Sequence, residues 1–407
     1  MAEGKLGKPT APIVTQAFLH LSKTNASKKG MPNLRITYVP HPVHGKTPAQ
    51  LAREIEGNDP VNQKPIMQEI VDALTKPLTA DDKKTGQVEQ SLEPKKLTDT
   101  PEALQQLFQD EGMTDFLPIV LPTEERVAAM LKGTSHRPDE IVGRMSPAAK
   151  AYVPWTYTVK QVAVNAVMAG AKPEYFPVIL AIASTGASSL SSSTNSFARA
   201  VVINGPIRDQ IGLNYGIGAM GPFNHANATI GRAWTLISKN LGNAGIAGET
   251  YFGTYGNATN YVNIVIAENE KDNPWVPLHV QKGFKREESV ASTFMGMGFI
   301  SAQGTNAGAL SAEPHFDRQL KDLFGSLTQL FGGFAVLDPT VVQHLKENGY
   351  DTKEKLIEWL YKSPGEAAPH FKQISDITLV VTGGSIQMYY QYGGMRYDAS
   401  ASVDKWK

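Results

Sequence analysis

The chain contains no cysteine. Disulfides, thiolate nucleophiles, iron–sulfur clusters and zinc–thiolate sites are therefore excluded within it, and any redox thiol must come from a partner. Net charge is also missing: 39 basic residues balance 39 acidic ones, which argues against a general nucleic-acid surface. No apolar run reaches membrane-spanning length. The N-terminus, MAEGKLGKPTAP, lacks the apolar h-region of a secretory signal. These absences lead us to expect a cytoplasmic protein with no membrane and no nucleic-acid partner. What is present is ordinary for a globular protein: 407 residues, 41% of them hydrophobic, enough for two or three domains.

The most informative stretch runs from Ala200 to Gly242. It opens with the β-branched run Val201-Val202-Ile203, which reads as a strand ending at Asn204-Gly205-Pro206. A loop follows that carries Gly212, Gly216, Gly218 and Gly221. A helix then opens near Asn224 to Asn227, with apolar residues Ala226, Ile230, Ala233, Trp234, Ile237 and Leu241 at helical spacing. Asn224 or Asn227 can cap it, and Gly242 can end it. Strand, glycine loop and helix start together form an anion-binding geometry, because backbone N–H groups and the helix dipole both favour negative charge there. Arg208, Asn214, Asn224, His225, Asn227 and Arg232 add donors around Gly216 and Gly218. His225, Thr229 and Arg232 share one helix face, which fits a ligand surface or a solvated face equally well.

Gly216 to Gly221 matches G-x-G-x-x-G. A dinucleotide fold places that motif directly after a strand, with an acid about 20 residues on. Here roughly a dozen residues intervene and no acid stands at the expected place, so no NAD is expected.

A second informative stretch is the strand candidate Tyr261 to Ile266, leading into Glu268-Asn269-Glu270 and then Pro274-Trp275-Val276-Pro277-Leu278-His279. Acids at a strand end, with a proline-fixed His279 beyond them, fit a catalytic loop. They also fit an acidic surface loop with a half-buried His–Trp contact. Further strands are expected at Ser289 to Phe299, Phe334 to Leu337 and Ile377 to Val381, with helices at 316–331, 340–348 and 352–361. Thr382-Gly383-Gly384-Ser385 forms a second glycine turn. Pro173 to Ser184 fits either a buried strand or a helix. Strands alternating with helices predict an α/β fold with a mostly parallel sheet core and a small N-terminal α/β segment. We expect that segment at 1–76, a polar linker at 77–100, and a main α/β domain of one or two subdomains at 101–407.

Several blocks resemble the UGSC-type bacterial proteins, named for a selenocysteine/cysteine-Gly-Ser-Cys motif. They are Gly30-Met31-Pro32 through Pro42, Glu124 through Leu131, Asn165 through Gly170 with Pro173-Glu174-Tyr175, Asn204 through Ile207, Asn227 through Arg232, and Glu268 through His279. The motif itself is absent, since no cysteine is present. The resemblance implies that residues 1–76 correspond to the later half of a thiol-bearing domain. The redox half then belongs to another polypeptide, or this chain has left that chemistry.

Three functions fit. The first is the large subunit of an enzyme acting on a small anionic, carboxylate-like substrate. Arg208 and Arg232 would hold the anion, His225 or His279 would move protons, and Glu268 would orient a histidine or act as base. A cysteine-bearing partner subunit would then cleave or reduce a carbon–heteroatom bond, making the enzyme a lyase or oxidoreductase. The second is a lyase or hydratase dependent on a divalent metal held by His225, His279 and Glu268, with His315 as a further ligand. The third is a non-catalytic binding or scaffold subunit. A hetero-oligomer with the thiol partner, or a homo-oligomer, is expected.

Overall fold

The computed structural model describes residues 8–85, 92–94, 96–146, 154–190, 196–248, 250–303, 316–325, 332–362, 371–386 and 389–407. The chain forms two compact units. His315, and the loop 191–195 within the serine-rich turn, lie outside the described residues.

The first unit comprises Met1–Ser91 with Ala149–Val153 and Ile246–Thr250. Its strands β1 (Ile13–Thr15) and β2 (Thr37–Val39) pair in parallel. Helices α1 (Leu19–Lys28), α2 (Pro48–Ile55) and α3 (Ile66–Thr75) complete it. A capping box between Thr47 and Gln50, with Pro48 in the first turn, sets the start of α2. The fully buried Asp59 carboxylate accepts the backbone N–H groups of Tyr38, Val61 and Asn62. Arg35 donates to Asp82 and to the carbonyls of Lys76 and Pro77, tying down the polar stretch after α3. The guanidinium holds the Asp82 carboxyl down at about 2.

The second unit comprises Leu92–Ala148, Pro154–Gly245 and Tyr251–Lys407. Helices α4 (Pro101–Asp110) and α5 (Glu124–Leu131) precede a ribbon of β3 (Ile141–Met145) and β4 (Trp155–Thr158). Then come α6 (Val159–Met168), α7 (Phe176–Ser184), β5 (Ala198–Asn204), α8 (Ile207–Gln210) and α9 (His225–Asn240). They are followed by β6 (Ile264–Ala267), α10 (Leu278–Gln281), β7 (Val290–Gly296), β8 (Ile300–Gln303), α11 (Phe316–Gly325) and β9 (Gly333–Leu337). The last elements are α12 (Pro339–Glu347), α13 (Lys353–Lys362), β10 (Ile377–Val381) and β11 (Tyr389–Ser402). The ambiguous segment Pro173 to Ser184 is a helix: all of α7 except Ser184 is buried, as an all-round apolar helix requires.

The strands form one mixed sheet in the order β10-β9-β11-β7-β5-β6, with β8 also paired to β11. Among the described residues of this sheet, only β5–β6 and β9–β10 pair in parallel. The expected mostly parallel sheet is therefore corrected. The physical reasons are β7, which pairs antiparallel with β5, and β11, whose 14 residues run antiparallel to β7, β8 and β9. Its sequence, YYQYGGMRYDASAS, has no β-branched residue. Residues Tyr390–Gly394 of β11 pair with β9, and Met395–Ser402 pair with β7. Gly393-Gly394 is thus the joint between two partners. A Cβ on Gly296, opposite, would lie 1.9 Å from the Gly394 carbonyl oxygen, so only glycine permits the approach.

The sheet curls at this joint. Phe294 on β7 and Phe334 on β9 meet edge to face at 4.6 Å across the concave side, although β11 lies between their strands. Ala198, Ala200 and Val202 of β5, Val336 of β9 and Val380 of β10 fill the same interior. The alternate residues Val201 and Ile203 pack on the outer layer with α6, α7 and α9. Ala335, Leu337, Leu379 and Val381 pack outward with α11, α12 and α13. Burial on both faces explains why β5 reads as a continuous apolar run.

The chain end of this unit is strapped to the loop before β3. Thr134 donates to the Trp406 carbonyl at 2.6 Å, and His136 Nε2 donates to the Lys405 carbonyl at 2.6 Å. His136 Nδ1 faces Glu140 at 2.9 Å. The Lys405 carbonyl, and then Glu140, raise the His136 pKa above its ordinary 6.5. Because the folded value lies above the unfolded one, this contribution is complete below about pH 6.5 and is lost as pH rises through the folded pKa. Hydrogen exchange at Lys405 to Lys407 should accelerate, relative to the sheet, between acid and mildly alkaline pH. A His136→Asn variant should abolish that pH dependence.

Candidate functional site

The curl brings the carboxyl ends of the two parallel strand pairs to one corner. The Asn269 N–H donates to the Val381 carbonyl at 2.7 Å, and Thr382 Oγ1 donates to the Ala267 carbonyl at 2.8 Å. On the other side of β10, the Thr382 N–H donates to the Leu337 carbonyl at 3.0 Å. The ends of β6, β9 and β10 therefore converge. The glycine-rich loop after α8 lies over this corner.

That loop is pinned by the asparagines expected to bind ligand. Asn227 Oδ1 accepts the Asn214 N–H at 2.9 Å, while its Nδ2 donates to the Asn214 and Val265 carbonyls. Asn214 Oδ1 accepts the Gly216 N–H, and its Nδ2 donates to the Ile217 carbonyl. Asn224 caps α9 by accepting the Asn227 N–H at 3.1 Å and ties back to the Gly212 carbonyl. At its far end, α9 closes with the Gly242 N–H on the Ile237 carbonyl. Gly218, at φ +74°, lies against the Phe223 ring, where a Cβ would come within 2.7 Å of the ring. The asparagines thus shape the loop's own backbone.

Between loop residues Ile217–Gly221 and the Gly383-Gly384 turn lies a cleft of about 470 Å³. Met220, Leu337, Asp338, Thr382, Ile386 and Tyr390 are among its walls. Ile217 and Ile386 form an exposed apolar rim. Inside, Asp338 is mostly buried, and its Oδ1 caps α12 through the Val341 N–H at 2.9 Å. Tyr390 hydrogen-bonds Gln319 at 3.0 Å, and burial pushes its phenol up to about 12, so the ring stays neutral.

A buried polar cluster occupies the adjoining strand ends. Glu268 Oε2 accepts Asn204 Nδ2 at 2.6 Å and the Leu278 N–H at 2.8 Å. Its Oε1 accepts Asn273 Nδ2 at 3.0 Å and Lys353 Nζ at 3.4 Å. Both partners of this ion pair are fully buried. Glu270 Oε1 accepts the Gly205 N–H and Asn204 Nδ2 and forms an ion pair with Arg208, whose Nε lies 3.2 Å away. His279 is fully buried. Its Nε2 faces the Arg286 carbonyl at 3.2 Å and must donate there, which leaves Nδ1 without a hydrogen-bond partner, 4.0 Å from Glu270. Glu268 and His279 thus lie in one polar cluster, linked through Asn204 and Glu270.

The other candidates stand elsewhere. Arg208 donates to the Gly205 and Glu268 carbonyls and stacks on the Tyr215 ring, so its guanidinium braces the strand ends. Arg232 forms a two-pronged pair with Asp115, at 2.8 and 2.9 Å, and donates to the Pro118 carbonyl. His225 is exposed on the first turn of α9, with its ring 5.9 Å from Tyr175. Among the described residues, no three His, Asp or Glu side chains gather as a metal-holding group, so His225, His279 and Glu268 do not form one. Lys353 and Asp338 enter the corner without having been singled out from the sequence, whereas Asn204 and Thr382 read there only as a strand end and as part of a glycine turn. Only Asp338 carried a local signal, an acid before Pro339 at a helix start.

The buried Asp115 carboxylate makes Arg232 a structural residue. Arg232→Leu should lower the unfolding free energy by about 3 kcal/mol, because it strands that charge. Ligand affinity in the cleft should not change. A stable variant with lost affinity would return Arg232 to the ligand.

Among the described residues, no helix is long and apolar enough to cross a membrane. No curated protein matches the chain. Residues 2–76 match the model of the UGSC family. Of the resembling blocks, only Gly30 through Pro42 falls within that match, and the cleft and the polar cluster lie outside it. Its N-terminal segment is thus similar to the UGSC family, and that similarity covers under a fifth of the chain.

Proposed function

We propose that this chain is the ligand-holding component of an enzyme that acts on a small molecule, the thiol chemistry being supplied by a cysteine-bearing partner chain. The observation that carries this reading is the cleft: it lies at the carboxyl ends of parallel strands, under a glycine loop, where α/β sheets hold ligands. Its volume of about 470 Å³ suits a small substrate. The adjoining Glu268–His279 cluster supports the floor of the corner and supplies acid–base groups beside it. Two partner thiols closing to a disulfide provide two electrons, which fits reduction or cleavage of a carbon–heteroatom bond.

Arg208 and Arg232 are engaged with protein groups, so they give no support to a carboxylate in this cleft. The test is a thermal-shift screen of small metabolites against the wild type and Gly384→Val. A Cβ at Gly384 already comes within 2.4 Å of Ile217, so valine fills the cleft. Ligands should raise the wild-type Tm and leave the variant unmoved. Equal shifts in both proteins, or no shift at all, would remove the cleft as the site. Native mass of the protein purified from its source should reveal a second, cysteine-bearing chain. A homo-oligomer alone would remove the thiol partner.

A further inference from the structure

Lys282 carries a charge that no protein group answers. It closes α10, the short helix that also holds His279, and it is partly buried. Its Nζ lies 4.1 Å from the centre of the Tyr397 ring, whose π-face attracts cations. Among the described residues, no carboxylate or carbonyl partners that ammonium. The acids on neighbouring elements are engaged elsewhere: Glu268 with Lys353, Glu354 with Gln281, and Asp398 with Arg199. Burial, and then the Lys353 charge, push the Lys282 ammonium below the ordinary lysine value. A partly desolvated charge is costly unless a counter-charge meets it.

A second donor stands at the hydroxyl of the same ring. Tyr397 donates its hydroxyl proton to Ser400 Oγ at 2.9 Å. Ser292 Oγ, 2.8 Å from Ser400 Oγ, is fully buried with no other partner among the described residues, so it donates to Ser400 as well. Ser400 therefore accepts twice, and its own proton is left over. Ser400 is only partly buried, which leaves that proton open to a ligand. An edge-to-face contact with Phe294 at 5.8 Å holds the Tyr397 ring in place.

We propose that Lys282 and Ser400 form a second ligand site, which takes the carboxylate group of a small organic acid, with the Tyr397 ring as its wall. The ammonium supplies the charge and the serine a hydrogen bond. One uncompensated positive charge matches a singly charged oxyanion, since the Lys353 charge is spent on Glu268. The site stands apart from the cleft, whose walls include none of these residues.

Titration calorimetry with benzoate, and with benzyl alcohol as its neutral match, tests the site. Benzoate should bind the wild type at least about tenfold more tightly than benzyl alcohol. Lys282→Met removes only an unanswered charge, so its Tm without ligand should not fall, and the preference for benzoate should vanish. Lys282→Arg should keep most of it. Ser400→Ala should weaken benzoate about tenfold. Gly384→Val, which fills the cleft, should bind benzoate as the wild type does. Equal benzoate affinity in Lys282→Met or Ser400→Ala, or no binding at about 10 mM, would overturn the site. Benzoate binding lost in Gly384→Val but kept in Lys282→Met would overturn it too, and would seat the acid in the cleft. Screened on a Lys282→Met background, the cleft is tested free of this second site.

Discussion

Glu268→Leu should lower the unfolding free energy of the second unit by about 4 kcal/mol, the scale at which a buried ion pair is broken from one side. The substitution strands the buried Lys353 ammonium and also removes the acceptor for Asn204 Nδ2, Asn273 Nδ2 and the Leu278 N–H. Lys353→Met should cost less, about 2 kcal/mol, because the carboxylate keeps its three other donors. The asymmetry is the informative part. Glu268 is the hub of the corner, while Lys353 is one of several spokes, attached at a long 3.4 Å. Combining Glu268→Gln with Lys353→Met should restore much of the loss, since a neutral amide still accepts from the asparagines and no ammonium is left behind. Urea unfolding followed by tryptophan fluorescence, run on the wild type and these three variants under one condition, measures this. Lys353→Met proving the costlier single change would invert the assignment of hub and spoke.

Gly205→Ala should be at least as damaging, by about 3 kcal/mol or more. Two independent penalties fall on the same atom. Gly205 has φ +82°, which an L side chain rarely adopts, and its added Cβ would come within 2.1 Å of the Glu288 carbonyl oxygen. That oxygen belongs to backbone and cannot swing aside. The Gly205 N–H also donates to Glu270, so any shift of this turn pulls on the polar cluster. Gly212→Ala is the control. It has a similar positive φ of +64° but nothing within 4 Å of its Cβ, so it carries the strain without the collision. Its melting temperature should fall by only a fraction of the Gly205→Ala drop. Equal losses in the two variants would show that the close approach to Glu288 contributes nothing.

Local pattern disclosed the elements whose burial is regular. The runs at 201–203 and 377–381 are strands, the strand expected at 261–266 begins only at Ile264 because Tyr261 ends a 3-10 turn, and the helix from Asn224 starts on its own capping residue. It did not disclose β11, where tyrosines, glycines and small polar residues stand in place of a β-branched run. That strand is the antiparallel link between the two parallel pairs, and the antiparallel pairing of β7 with β5 left no mark in the local pattern either. The site divides in the same way. Glu268 and His279 are close in sequence and enter one cluster, so their association was legible. The roles of the arginines were not, because the groups that occupy them come from distant segments: Asp115 lies 117 residues from Arg232, and the Glu268 carbonyl lies 60 residues from Arg208. Lys353 reaches Glu268 across 85 residues. No local periodicity encodes an ion pair of that span.

The position of β11 has a consequence for how the protein is made. Among the described strands it alone joins the β5-β6-β7 group to the β9-β10 pair by a strand ladder, yet in sequence it follows all of them. During synthesis both groups exist before the strand that joins them has left the ribosome. Until then β7 and β9 each present an unpaired edge, and Phe294 and Phe334 have no common interior to share. Such a nascent chain is a natural client for chaperones that shield open edges, and its yield in a host should depend on their supply.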